Sequence, residues 1–409
     1  MTATILANAN VLDTEAGELL GERHVLLRDG QIAEISETPL KDSTAETVDL
    51  RGRTLMPGLC DAHVHVTAIT PDFALLKKLS PFYVAGRSTD ILNGMLMRGF
   101  TTVRDGGGAD YGLAHAVDED AIIGPRVLFC GQALSQTGGH GDVRGRGENA
   151  LDECFCCAGL GRICDGVPEV RRAARDEIRK GATHIKIMAS GGVSSPTDRI
   201  DSTQFSLEEI DAIVEEATAA NIYVMAHAYT ARAINRLLTR GVRTIEHGNL
   251  MDAESCELFK KHGGYLTPTL STYNAIAKEG KEAGMPAELQ AKVFEVVEYG
   301  LSALDMAYNA GVKTVFGTDL LGQMHRYQLG EFDLRKGIMP AADLIRSATC
   351  TAAEALQREG EFGVVREDAR ADLLVVDGNP LDDINVLTDP GNRLKAVIKE
   401  GKFYKNELQ

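Results

Sequence analysis

The chain has 409 residues, more than one ordinary domain needs and enough for a barrel of ~250 residues plus a second module. Its formal net charge is -16 with no basic run, which argues against nucleic acid and anionic membrane as partners. An apolar share of 44% provides for a large core, yet no apolar run approaches the ~18 residues of a membrane span. Met1 to Asn8 lack the basic and long apolar segments of a signal peptide, and eight cysteines in so long a chain are no disulfide framework. The expected compartment is a reducing cytoplasm.

From the N-terminus, short antiparallel strands are expected as far as about residue 56. Segments 24–28 and 31–35 flank Asp29-Gly30, a strong hairpin signal. The far C-terminus has the same texture: a strand over 371–377, then a hairpin of 394–399 and 402–405 around Glu400-Gly401. Neither end buries much apolar surface alone. Residues 1–56 plus 362–409 are therefore expected to pair as one composite β-sandwich bracketing a central domain, 57–361.

The central domain opens on Met56-Pro57-Gly58-Leu59-Cys60-Asp61-Ala62-His63-Val64-His65-Val66. It reads as a buried strand ending in two histidines. Side chains alternate along a strand, so His63 and His65 share a face, about 6–7 Å apart, and can share a metal ion. Alone, His-x-His reads equally well as two satisfied core histidines. Further strands are expected at 101–104, 126–130, 184–188, 222–226, 243–246, 265–269 and 313–317, with helical stretches mostly between them. One helix is well marked: Ser206 caps it, Glu209 completes a capping box, and Leu207, Ile210, Ile213, Val214 and Ala217 share a face. Eight strands alternating with helices predict an α/β fold, a closed (β/α)8 TIM-like barrel. An open doubly wound sheet is the alternative, but no glycine-rich phosphate turn supports it, and Gly106-Gly107-Gly108 lacks that spacing. The longest irregular stretch is 135–167.

In a barrel, strand C-terminal ends converge on one mouth. Those ends carry His63, His65, Lys186, His227, His247 and Asp319. Lys186 sits inside an apolar strand, where a lone ammonium is costly. As a neutral amine it can add carbon dioxide, and the resulting carbamate can bridge two cations; a lysine paired to a barrel acid is the alternative. His227 and His247 suit a second metal, and singly each reads as a core histidine. Asp319 reads as a ligand or as a helix N-cap. Imidazole and carboxylate ligands suit zinc, with manganese, iron and cobalt compatible.

The string 57–65 with Lys186, His227, His247 and Asp319 resembles the amidohydrolase superfamily in its binuclear, carboxylated-lysine form. The bracketing ends, notably Ala371-Asp372-Leu373-Leu374-Val375-Val376-Asp377, resemble that superfamily's β-sandwich. Ser190-Gly191-Gly192-Val193, Thr137-Gly138-Gly139-His140 and His227-Ala228-Tyr229 resemble the imidazolonepropionase-like branch that includes Xaa-Pro dipeptidases. The resemblance implies His63, His65 and Asp319 on one metal, His227 and His247 on the other, and carboxylated Lys186 between two divalent metals, expected to be zinc. It implies amide hydrolysis of dipeptides or N-acyl amino acids by a metal-bridging hydroxide, with Asp319 moving the proton. His140 and Tyr229 would donate to the carbonyl or a substrate carboxylate. A homo-oligomer is implied on the same ground.

Arg199, His325 and Arg326, in loops after strands 4 and 8, are the candidates for a substrate carboxylate, each otherwise a solvated loop residue. Arg104 is expected to pair with a barrel acid. Cys154, Cys156, Cys157 and Cys164 match no zinc module; free thiols are expected, a soft-metal site being the alternative. Cyclic-amide, lactone and ester hydrolysis remain open. Deamination is disfavoured by Lys186, since deaminases of this superfamily usually need one metal. A non-enzymatic scaffold would have lost ligands that are all present.

Overall fold

A computed structural model describes residues 3–149 and 158–408. Five strands open the chain: β1 (Ala3–Asp13), β2 (Glu18–Arg28), β3 (Gln31–Ser36), β4 (Ala45–Asp49) and β5 (Thr54–Pro57). Ten follow through the centre: β6 (Leu59–Val64), β7 (Phe100–Asp105), β8 (Arg126–Phe129), β9 (Ala133–Ser135), β10 (Gly161–Ile163), β11 (His184–Met188), β12 (Tyr223–Thr230), β13 (Thr244–Leu250), β14 (Tyr265–Thr267) and β15 (Lys313–Thr314). Three close it: β16 (Leu373–Val376), β17 (Leu394–Lys399) and β18 (Lys402–Asn406).

The terminal strands pair in one sheet, ordered β18-β17-β16-β5-β1-β2-β3, with β4 also on β1. The two chain ends meet where β5 runs antiparallel to β16, Leu55 opposite Val375. Both expected hairpins form, β2 with β3 around Asp29-Gly30 and β17 with β18 around Glu400-Gly401. The sheet departs from simple antiparallel order at β1, which shifts register twice against β2 and takes β4 and then β5 in parallel on its other edge. An irregular strand of this length pairs with different partners along one edge, which local hairpin signals do not reveal.

The central strands pair in parallel, β6-β7-β8 in one sheet and β10-β9-β11-β12-β13-β14-β15 in another. The backbone links both edges of the three-stranded sheet to the larger one. Ala62 N–H on β6 donates to the Phe316 carbonyl beyond β15 (2.9 Å), and Thr183 N–H before β11 donates to the Phe129 carbonyl of β8 (2.9 Å). Every residue of β6, β7 and β11 is buried, as parallel strands covered on both faces require. The covering helices form for local reasons. In Leu207–Ala219, Ser206 accepts from Glu209 N–H while the Glu209 side chain accepts from Ser206 N–H, and Ile210, Ile213 and Ala217 are buried. Among the described residues, no helix is long and apolar enough to cross a membrane.

Three short strands differ from the sequence reading, which expects neither β9 nor β10 and expects a longer β15. The stretch 135–167 contains β10, which pairs with β9; three-residue strands carry too little periodicity to read. β15 is a two-residue ladder, and beyond it the chain is held singly, Val315 N–H by the Leu266 carbonyl (2.8 Å) and Phe316 N–H by the Ser347 carbonyl (2.9 Å).

Gly58 joins the terminal sheet to β6. Its N–H donates to the Asp372 carbonyl (2.8 Å), and a Cβ there would lie 2.0 Å from Thr101 Oγ1. Gly58→Ala is expected to cost about 1–3 kcal/mol by overpacking, measured as a lowered denaturant midpoint. An unchanged midpoint would show slack at this junction.

Candidate active site

A cavity of about 770 Å³ is lined by His63, His65, His140, Lys186, His227, Tyr229, His247 and Asp319. They come from β6, β11, β12, β13 and the loops after β6, β9 and β15. Parallel strands direct their C-terminal ends to one side, which brings these residues together across 257 positions of sequence, from His63 to Asp319.

His63 Nδ1 pairs with Glu246 Oε2 at 2.8 Å, and His65 Nδ1 pairs with the Gly107 carbonyl at 3.0 Å. A carbonyl only accepts, and Glu246 accepts when ionised, so Nδ1 carries the proton in each ring. Each neutral ring then presents a lone pair at Nε2. Both Nε2 atoms face Asp319 Oδ1, at 3.4 Å from His63 and 3.3 Å from His65. His63 Nε2 is buried with no hydrogen-bond partner among the described residues. Three acceptors, all within 4.8 Å of one another, repel unless a cation sits among them. A proton is the smallest such cation. Burial works against it, but Asp319 raises the His65 pKa, while Asp319 is held low against its own burial by His63, His65 and Lys186. The donor set fits a divalent metal.

His227 and His247 stand beside this group, their ring centroids 4.6 Å apart, and His247 lies 5.1 Å from His63. His227 Nε2 engages the Gly191 carbonyl (3.1 Å) and His247 Nδ1 engages Thr269 Oγ1 (2.7 Å), leaving one nitrogen of each ring for the cavity. Burial pushes both pKa values well down, so both rings are neutral. Lys186 is buried on β11, and burial lowers its pKa. Among the described residues, no carboxylate lies within ion-pair distance of it. The downward shift, opposed by Glu246 and Asp319, favours the neutral amine, which is the form that reacts with carbon dioxide. The backbone here is strained: His247 (φ 77°), Thr269 (φ 49°) and Asp319 (φ 52°) all occupy the left-handed region. Such residues cost roughly 1–3 kcal/mol each and persist where the surroundings over-determine them.

His140 stacks on His227, with centroids 4.2 Å apart and planes at 21°. Its Nδ1 pairs with Ser195 Oγ (2.8 Å), whose hydroxyl donates to Asp198. Burial opposes ionisation of Asp198, but His140, Ser195 and Lys292 hold its carboxyl at about 2. Gly192 makes room for the ring, since a Cβ there would lie 2.1 Å from His140 Cε1. Tyr229 is buried, and its hydroxyl accepts from Tyr273 (3.1 Å), which leaves its own proton to give.

Three candidates for a substrate carboxylate are not in the cavity wall. Arg199 is 81% exposed and pairs with Asp201, and Arg326 pairs with Glu279 at the surface. His325 is buried elsewhere, its pKa pushed down to about 3 by burial. Position in a loop after a strand does not fix side-chain direction. Arg144, in the loop that carries His140, does line the cavity and makes a bidentate pair with Asp142. Cys164 is free, buried and in the wall, whereas Cys154, Cys156 and Cys157 lie outside the described residues.

Arg104 pairs with a barrel acid, as its place at the end of β7 leads one to expect. The acid is Glu246, fully buried, which accepts from Arg104 Nη2 (2.9 Å) and pairs with His63 Nδ1. The available signal was a glutamate inside an apolar strand, one residue before His247.

The profile of the Amidohydrolase family matches residues 54–403. The chain belongs to that family. This amidohydrolase is a hydrolytic enzyme of the prolidase-like branch, similar to the following proteins over 97–99% of its length. A prolidase solved with N-methylphosphonate-L-proline is 50% identical, with a TM-score of 0.96 and coverage of 99% of this chain and 100% of that one. An Xaa-Pro dipeptidase solved with methionine in its active site is 30% identical, with a TM-score of 0.89 and coverage of 99% and 100%. Ochratoxinase from Aspergillus niger is 33% identical, the match covering 97% of this amidohydrolase and 86% of the fungal protein.

Glu246→Gln keeps the shape and removes the charge that balances Arg104. It is expected to destabilise this amidohydrolase by about 3–5 kcal/mol, read by denaturant unfolding. A loss below about 1 kcal/mol would mean that Arg104 finds another counter-charge.

Proposed function

We propose that this amidohydrolase is a binuclear metal-dependent hydrolase that cleaves the amide bond of dipeptides, Xaa-Pro among them, or of N-acyl amino acids. The observation that carries it is the convergence of the His63, His65 and Asp319 acceptors beside Lys186, His227 and His247 in one cavity. The prolidase and dipeptidase neighbours support the choice of bond. The scaffold belongs to the same proposal: residues 57–361 as a closed (β/α)8 barrel, supported by the Ala62–Phe316 and Thr183–Phe129 backbone links, with 1–56 and 362–409 as its composite β-sandwich. So do a cytoplasmic location, supported by five free cysteines among the described residues, and a homo-oligomer, supported by apolar surface such as Phe82, 91% exposed.

His63, His65 and Asp319 would hold one metal and His227 and His247 the other, with Lys186, carboxylated, between them. When bound, divalent zinc supplies Lewis acidity and lowers the pKa of water to about 7. The protein's own residues do the rest. Asp319 accepts a proton from the attacking water and returns it to the amide nitrogen as the C–N bond breaks and the C–O bond forms. His140, stacked on His227, and Tyr229, whose ring stands T-shaped to it, orient the scissile carbonyl and the substrate carboxylate. Burial of the site keeps bulk water from competing for these hydrogen bonds. The ochratoxinase relative is named for a different substrate, which supports hydrolysis of other bonds as the second reading.

Asp319→Asn keeps a ligand oxygen but loses the base. Turnover is expected to fall by about 100-fold or more, with substantial metal retained by elemental analysis. Full activity in that variant would remove the proton transfer from Asp319. The test of substrate class is a screen of zinc-loaded protein, prepared in bicarbonate, against Xaa-Pro and other dipeptides and N-acyl amino acids. Release of the C-terminal amino acid without ammonia is the expected result. Silence with metal bound would move the chemistry to cyclic amides, lactones or esters.

A further inference from the structure

Lys292 lies on the helix Ala287–Val293, in the excursion between β14 and β15, and takes no part in the proposed chemistry. Its ammonium donates to three main-chain carbonyls of the loop after β11: Gly192 (3.1 Å), Ser195 (2.8 Å) and Asp198 (2.8 Å). It also lies 3.4 Å from Asp198 Oδ1, with its side chain 20% exposed. An ammonium has three protons, so these carbonyls satisfy it completely. A lysine committed to one loop's main chain holds that loop as a unit.

That loop holds His140 twice. Ser195 engages the ring at Nδ1, and Asp198 fixes the Ser195 hydroxyl. Asp198 Oδ2 also accepts from Gly192 N–H (3.2 Å) and from Gln204 Nε2 (3.0 Å), and Gln204 Oε1 accepts the His140 backbone N–H (2.8 Å). Ring and main chain of His140 thus depend on residues that Lys292 pins. The same excursion supplies Thr272 and Ile276 to the cavity wall, so one ammonium ties that wall to His140.

We propose that Lys292 is a positioning residue for His140, acting across the site by stapling the loop of Ser195 and Asp198. The kinetic consequence rests on the proposed contact between His140 and substrate. Loss of the staple lets the imidazole wander over its ring of partners without removing any group that touches substrate.

The test is a double-mutant cycle on the dipeptide turned over best, joined to hydrogen exchange. Lys292→Met is expected to lower kcat by about tenfold to 100-fold, with KM changed by less than about threefold and metal content unchanged. Lys292→Arg restores most of the rate. In a His140→Ala background, Lys292→Met has less than about a twofold further effect, because both act through one ring. Amides in peptides covering 138–142 and 190–198 exchange faster in Lys292→Met. Lys292→Gln is the second variant if Lys292→Met does not fold. Additive losses, or faster exchange confined to 190–198, would overturn the assignment. If the wild type cleaves no amide in the panel, the proposed function fails, and exchange at 138–142 still decides whether Lys292 holds His140.

Discussion

Two imidazole nitrogens and a carboxylate oxygen, all acceptors, face one another at 3.3 and 3.4 Å near the C-terminal ends of buried strands. Such a cluster is unstable by itself, because the low-dielectric interior strengthens each repulsion. Its partners remove the usual escape. His63 cannot turn its ring without abandoning Glu246, and His65 cannot without abandoning the Gly107 carbonyl. The site is therefore built around the need for a cation, and much of the surrounding structure keeps that need from relaxing.

The supporting shell is expensive and mostly buried. Glu246 answers both Arg104 and His63, so one carboxylate neutralises a buried guanidinium and sets a tautomer. Asp61 accepts from His63 N–H (3.2 Å), Thr318 N–H (3.1 Å) and Gln328 Nε2 (2.9 Å), which joins the strand of the two histidines to the segment bearing Asp319. Left-handed backbone at His247, Thr269 and Asp319 adds strain at the same place. Strain and buried charge gathered around one group of ligands are what pre-organisation demands.

Labour is divided between strands and loops. Strands β6, β11, β12 and β13 and the segments that leave β6 and β15 fix the ligand-type residues, which tolerate little displacement. The loops after β9 and β11 carry His140 and the Ser195–Asp198 pair, and the helix Leu270–Glu279 after β14 carries the Thr272 and Ile276 wall. Prolidase, Xaa-Pro dipeptidase and ochratoxinase structures share this fold at 30–50% identity with this chain, and a shared fold leaves the substrate to the site.

The sequence alone determined much here, because periodic apolar strands and a capping box are local properties. The positions of the central strands, the helix after Ser206 and both terminal hairpins were legible for that reason. His63, His65, Lys186, His227, His247 and Asp319 were legible because polar residues stand out at the ends of apolar strands. What the sequence left undetermined was direction and partnership. Arg199, His325 and Arg326 lie well beyond the ends of β11 and β15, whereas His227 lies within β12, and their side chains turn to solvent or to other parts of the interior. Glu246 as the partner of Arg104, the convergence of three lone pairs on one point, and the reach of Lys292 across the site were decided only by tertiary structure. Each depends on distances between residues far apart in the chain, and only the packing of strands and loops sets those distances.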